Sequence, residues 1–220
     1  DQLADQLCQK HGVKPNFKGV GPQNNQYQHA TCISVNDAVV HGIPDDRQFQ
    51  SGDVVKVDFG IEYQGLNTDH CFTVGVGTLK SKDHQLVTTA KKAIQKAAKL
   101  AIAGNRTGDL GYIIQSTANQ AGFSVAKEFV GHGIGLGLHD DPQLPAYGQP
   151  GNGRTLEKNM VLCVEAQILA GDDCIYITED GWTAKTCDGQ KAAMFEYMVV
   201  VGQKKPTFLT PTLDWPIIAR

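Results

Sequence analysis

The chain has 220 residues, of which 41% are hydrophobic and 20% charged, with a net charge of −3. Its isoelectric point near 6.2 gives no basic surplus for nucleic acid or an anionic membrane, so neither is expected as a partner. The length suits one large domain or two small ones, and no apolar run approaches the ~18 residues of a membrane helix.

In chain order, "DQLADQLCQK" opens without an initiator Met, so residues are expected upstream. It resembles the end of a helix over 1–11, with Leu3, Leu7 and Cys8 on one face and Gly12 as the stop. Residues 13–30 are polar and loop-like. "TCISVNDAVVHGIP" predicts a short strand and a turn ending at Pro44. Residues 53–61 and 67–76 predict a hairpin. Leu86, Ala90, Ala93, Ile94, Ala97 and Ala101 follow the helical period and predict a helix over 82–103, ended by Gly104. The lysines at 91, 92, 96 and 99 lie at helical spacing and read as its solvated face. Thr107 is placed to cap a second helix, with Asp109 in its first turn and Gly122 at its close. Strands are predicted over 125–130, 160–169, 174–179 and 193–201. Each half of the chain runs helix, strand, histidine and then an acid-bearing strand region, but the first half has only a fragment of helix. A first helix is therefore expected to be missing or trimmed.

The six cysteines are Cys8, Cys32, Cys71, Cys163, Cys174 and Cys187. None forms a Cys-x-x-Cys pair, which excludes a zinc ribbon or a dithiol redox motif. Cys32, Cys71 and Cys163 fall in apolar strand-like runs that suit free buried thiols. With no signal peptide in view, a reduced, cytoplasmic protein is expected.

The hairpin "VDFGIEYQGLNTDHCF" carries an aspartate in each strand, Asp58 and Asp69. A two-residue loop at Tyr63-Gln64 would set them directly opposite, with Cβ atoms about 4.5–5.5 Å apart. Like charges so placed repel, unless one is protonated or a cation lies between them. Glu165 in "NMVLCVEAQIL" and Glu196 in "AAMFEYMVVV" sit inside otherwise apolar strands, where an acid is costly unless paired or metal-bound. No Arg lies nearby in sequence. "GHGIGLGLHDDP" adds His132 and His139 among glycines that let backbone pass close to something. It does not fit a dinucleotide loop, and no H-E-x-x-H, Walker A or G-x-S-x-G motif is present. Four carboxylates balance two dications. Oxygen-rich coordination with one imidazole suits Mn, Fe, Co or Zn, and such a pair supports metal-assisted hydrolysis.

The order Asp58, Asp69, His132, Glu165, Glu196, with "CISVNDAVVHGIP", "GHGIG", "DGWT" and "AGFSV", resembles the type I methionine aminopeptidases over roughly residues 15–205. The resemblance implies an α+β pita-bread fold: pseudo-twofold halves around a curved antiparallel sheet with outer helices, in a single metallopeptidase catalytic domain over 1–220. It implies two divalent ions, with Asp58 on one, His132 and Glu165 on the other, and Asp69 and Glu196 bridging. It further implies that Glu165 relays a proton, that His139 bonds the substrate carbonyl, and that His41 contacts the substrate backbone or leaving amine. Tyr27, Cys32 and Trp182 would line the methionine pocket. The implied partner is the N-terminus of nascent chains, met at the ribosome by a monomeric enzyme. Four positions depart from the family's habit: Val20, Leu138, Ala166 and Tyr197. An Xaa-Pro hydrolase, or a binding protein that keeps the fold, are the competing readings. "VVHGIP" speaks against the first and the intact ligand set against the second.

Overall fold

The computed structural model describes residues 1–210 and 212–219. The chain begins with α1 (Gln2–His11), β1 (Lys14–Pro15), β2 (Thr31–Val35), β3 (Ala38–Val40), β4 (Val54–Phe59), β5 (Ile61–Tyr63), β6 (Leu66–Thr68) and β7 (Cys71–Val76). Two longer helices follow, α2 (Ser81–Ala98) and α3 (Thr107–Gln120). The remainder is β8 (Ser124–Val125), β9 (Gly131–Gly133), β10 (Asp140–Leu144), β11 (Val161–Leu169), β12 (Ile175–Ile177), β13 (Ala184–Thr186), β14 (Ala192–Val200), β15 (Thr207–Phe208) and β16 (Ile218–Ala219).

Two sheets carry the architecture. One has the order β16-β7-β4-β2, and the other β10-β9-β11-β14-β15 with β8 also paired to β11. They meet along β7 and β14 through side chains rather than a ladder. Thr73 Oγ1 accepts the Met194 N–H at 2.9 Å. The buried Lys56 ammonium donates to the carbonyls of Asn36 and Ala192, both at 2.9 Å.

Strand alternation separates scaffold from cleft. In β11, Leu162, Val164, Ala166 and Ile168 face the helices; in β14, Ala193, Phe195, Tyr197 and Val199 do the same. They pack on Leu86, Ala90, Ile94 and Ala97 of α2 and on Leu110, Ile114 and Ala118 of α3. The alanines let α2 approach closely, and each fully buried Leu or Ile contributes about 1.5–3 kcal/mol. On the opposite faces of these strands, Glu165 and Gln167 of β11 and Met194 and Glu196 of β14 line the cleft.

Several boundaries differ from expectation. The first long helix stops at Ala98, not 103, because Ala103 N–H donates to Gly202 and Gly104 N–H to Leu156, both at 2.9 Å, pulling this stretch into pairing with later chain. Thr107 is the first helical residue and Arg106 holds the cap position. The Asp109 carboxylate accepts the Arg106 N–H at 2.7 Å, and Thr107 Oγ1 instead accepts the Arg154 N–H at 3.2 Å. Of the strand expected over 125–130 only Val125 lies in one: residues 126–130 form no strand, and across them the pairing with β11 shifts register by two residues between β8 and β9. In α1, Cys8 is buried but Leu3 and Leu7 are exposed.

The expected fully reduced state fails at one pair. Cys174 and Cys187 form a disulfide across the β12–β13 hairpin, while Cys8, Cys32, Cys71 and Cys163 are free and buried. The partners are 13 residues apart, and nothing local in sequence marks them. Closing a loop of this size is worth about 3 kcal/mol. A Cys174→Ser/Cys187→Ser variant is expected to melt roughly 6–12 °C lower than the oxidised protein. Thermal melts check this, and equal melting temperatures would contradict it.

Candidate metal centre

The hairpin turn falls at Gln64-Gly65, both at positive φ (52° and 79°), the arrangement that suits a two-residue hairpin. The turn is thus one residue later than expected. Asp58 consequently pairs with Cys71 on one side and Cys32 on the other, not with Asp69. The difference is two residues along the partner strand, so both aspartates keep the same face and sit as diagonal neighbours.

The second sheet brings in the other ligand candidates. Glu165 and Glu196 stand directly opposite in the β11–β14 ladder. His132 lies in β9, paired with Cys163 of β11. The flanking glycines are required by closeness: a Cβ at Gly131 would stand 2.5 Å from the Cys163 carbonyl oxygen, and one at Gly133 only 2.2 Å from that of Asp141. His132 Nδ1 is 2.9 Å from the Gly133 carbonyl oxygen, which leaves Nε2 to face Glu165 Oε1 at 3.6 Å.

The groups converge across the junction of the sheets. One carboxylate oxygen from each of Asp58, Asp69 and Glu196 lies within 4.8 Å of the others, and so do ligand atoms of Asp69, His132 and His139. His139 stands at the open mouth, its ring 4.5 Å from that of His132. His41, at φ 57° just after β3, stacks edge-on to Phe129 and Trp182. Tyr27 is buried, with its hydroxyl 2.9 Å from the Thr31 carbonyl oxygen and 3.0 Å from that of Gly42. Its ring lies 5.1 Å from Trp182. Cys32 packs with Tyr27 and Phe17. All ten residues singled out in the sequence line one cavity of about 220 Å³.

Burial dominates the electrostatics. It pushes Asp69 up to about 7 and Glu165 up to about 8. Asp58 and Glu196 are driven well above the carboxylate range, by burial first and by the neighbouring acids second. His41 and His132 are pushed down to about 4, mainly by burial, and His139 is lowered for the same reason. Among the described residues, these four acids have no Lys or Arg in an ion pair; their one such contact is His132 with Glu165. Asp58 Oδ1, Asp69 Oδ1 and Glu196 Oε1 are buried without any hydrogen-bond partner. Three orphaned carboxylate oxygens beside an imidazole fit divalent cations and fit little else.

Among the cavity residues that escaped the sequence reading, Gln167 and Met194 lie nearest in sequence to the acids. Gln167 and Met194 are register partners flanking the Glu165–Glu196 pair. The signal for Gln167 was present: it lies two residues beyond Glu165 in the same apolar strand, hence on the same face. Of the four family departures, Val20 and Leu138 line the cavity, whereas Ala166 and Tyr197 face the helices. The departures therefore touch the pocket wall at two positions rather than four.

Comparison with known proteins agrees with this geometry. The description "Metallopeptidase family M24" matches residues 1–203. Methionine aminopeptidase 1 of Bacillus subtilis is 36% identical over 210 residues, covering 96% of this chain and 83% of that one. The crystal structure of methionine aminopeptidase from Thermotoga maritima superposes with a TM-score of 0.89 at 42% identity, over 93% of this chain and 81% of the other. A prolidase structure from Thermococcus sibiricus, at 22% identity and a TM-score of 0.69 over 88% of this chain and 48% of its own, shares the fold. The architecture is the pita-bread fold, with the acid-lined cleft between its halves. Sequence and structure thus agree on kinship as well as shape, and the chain belongs to metallopeptidase family M24.

Proposed function

We propose that this chain removes the N-terminal methionine from newly made polypeptides by metal-dependent hydrolysis of the first peptide bond. The observation that carries it is the set of orphaned carboxylate oxygens gathered with His132 in a cavity that also holds His41 and His139. The relatives named methionine aminopeptidase supply the substrate. Asp58 would hold one ion, His132 and Glu165 the other, and Asp69 and Glu196 both; Co, Mn, Fe and Zn suit this donor set. Divalent ions there supply Lewis acidity, which polarises a carbonyl and makes water nucleophilic at neutral pH.

The remaining work falls to the chain's own groups. Glu165 takes a proton from the attacking water and passes it to the leaving amine. His139, neutral because burial lowers it, donates a hydrogen bond to the substrate carbonyl as negative charge grows there. His41 contacts the substrate backbone or the departing amine. Tyr27, Cys32 and Trp182, with Phe17, Val20 and Leu138, make an apolar pocket for an unbranched thioether. A charged first side chain would be left unpaired there. Nascent-chain termini are the partner on this account, and action as a monomer beside the ribosome in the cytoplasm goes with it. No described helix is long and apolar enough to cross a membrane. The Cys174–Cys187 disulfide stands against the cytoplasmic part, since such bonds are rare there.

Metal-loaded protein is expected to cleave a Met-Ala-Ser peptide and leave an Xaa-Pro peptide intact. Cleavage of the proline substrate alone would sink the proposal. Asp69→Asn should lower kcat/KM by at least about a thousandfold. In the metal-free protein at pH 8, above the value of about 7 to which burial pushes Asp69, the same substitution removes a repulsive charge and should stabilise by about 1 kcal/mol, so calorimetry in chelator at that pH should show a higher melting temperature.

A pH dependence follows for the metal-free protein. Unfolded carboxylates lose their protons near pH 4, whereas Asp69 and Glu165 keep theirs in the fold to about 7 and 8. The folded state thus holds the extra protons within this window, and stability falls as pH rises through it. Melting temperature in chelator should drop from pH 5 to pH 8, and a divalent ion should restore it at pH 8. A flat profile would contradict the burial of these acids.

A further inference from the structure

One polar side chain on the cavity wall has no part in the chemistry above. Gln167 is fully buried on β11, two residues beyond Glu165 and opposite Met194. Its Nε2 donates to Glu165 Oε2 at 2.9 Å and lies 3.5 Å from Met194 Sδ. Its carbonyl oxygen is buried and has no hydrogen-bond partner among the described residues. When Glu165 is ionised, as it must be to hold a cation, turning the amide round would set oxygen against oxygen, so in that state the bond from Nε2 to Oε2 fixes the orientation. A buried amide paired at one end is unfavourable, and a Leu or Met would fill the place beside Met194 without that penalty. Packing alone does not explain a glutamine here.

We propose that Gln167 is a positioning residue for Glu165, holding Oε2 so that Oε1 is the oxygen presented beside His132. Glu165 has three rotatable bonds. Apart from Gln167, the side chain that offers it an ion-pair contact among the described residues is His132, at 3.6 Å, itself a ligand candidate; its other polar neighbours, Asp69 and Glu196, are acids that repel it. Without the amide the carboxylate is free to turn, and the ion it helps to hold loses a pre-set oxygen. Such supporting partners commonly govern metal affinity as well as rate. The kinetic side of this role rests on the aminopeptidase function proposed above; the metal-binding side does not.

The test is titration calorimetry of the metal-free protein with Mn²⁺, alongside steady-state kinetics on a methionyl peptide. Wild type is compared with Gln167→Leu, Gln167→Met, Glu165→Gln and the Glu165→Gln/Gln167→Leu double variant. Gln167→Leu and Gln167→Met should bind one Mn²⁺ about ten- to a hundredfold more weakly and lose kcat by a similar factor. KM and melting temperature should stay near the wild-type values. In the Glu165→Gln background, Gln167→Leu should change either quantity by no more than about twofold, because its effect passes through Glu165. Unchanged Mn²⁺ affinity in both folded Gln167 variants would overturn the proposal, as would the full loss recurring in the Glu165→Gln background. If wild type binds Mn²⁺ but cleaves no methionyl peptide, the aminopeptidase function fails, and the affinities still decide the role of Gln167. If wild type binds no Mn²⁺, both fall.

Discussion

Four carboxyl groups within reach of one another, three of them buried and Asp58 half-buried, are the constraint on which this molecule turns. Left as anions they would repel in a setting that water cannot screen, and without metal the fold is relieved only while they hold protons. Their high proton affinity comes first from burial and then from one another, and among the described residues no Lys or Arg forms an ion pair with them. The nearby buried cation, Lys56, donates instead to two backbone carbonyls and joins the sheets. A structure that joins its halves with a lysine yet leaves the acids unmatched is built for cations that arrive from outside.

The scaffold can tolerate this because strand alternation divides the labour. The helix-facing residues of β11 and β14 form a continuous apolar layer with α2 and α3, and the acids occupy the opposite face. Stability and chemistry thus use different faces of the same two strands. Ala166 and Tyr197, which depart from the family's habit, lie on the scaffold face, so their effect is on packing. Val20 and Leu138 lie on the cavity wall, where they bear on which side chain fits.

Much of the site was legible in the sequence because a buried acid in an apolar strand is a rare and costly choice. Asp58, Asp69, Glu165 and Glu196 stood out for that reason, and the glycines around His132 marked a close backbone passage that the structure shows. The exact pairing of the hairpin was not legible. Tyr63-Gln64 and Gln64-Gly65 both make two-residue loops, and the second wins because it puts Gly65 rather than Tyr63 at a positive-φ position. The helix end at Ala98 and the loss of strand over 126–130 depend on partners far along the chain, Gly202, Leu156 and β11, which local periodicity does not contain. The Cys174–Cys187 bond was hidden likewise, since only the β12–β13 pairing brings the two thiols together.

The central claim, that this acid cluster is a binding site for cations, is tested most directly by calorimetric titration of the metal-free protein with Mn²⁺ in two buffers of different ionisation enthalpy near pH 7. The account predicts two ions per chain, with release of protons from the cluster on binding, because the acids hold protons there without metal. Binding that releases no protons, or no binding at all, would contradict it.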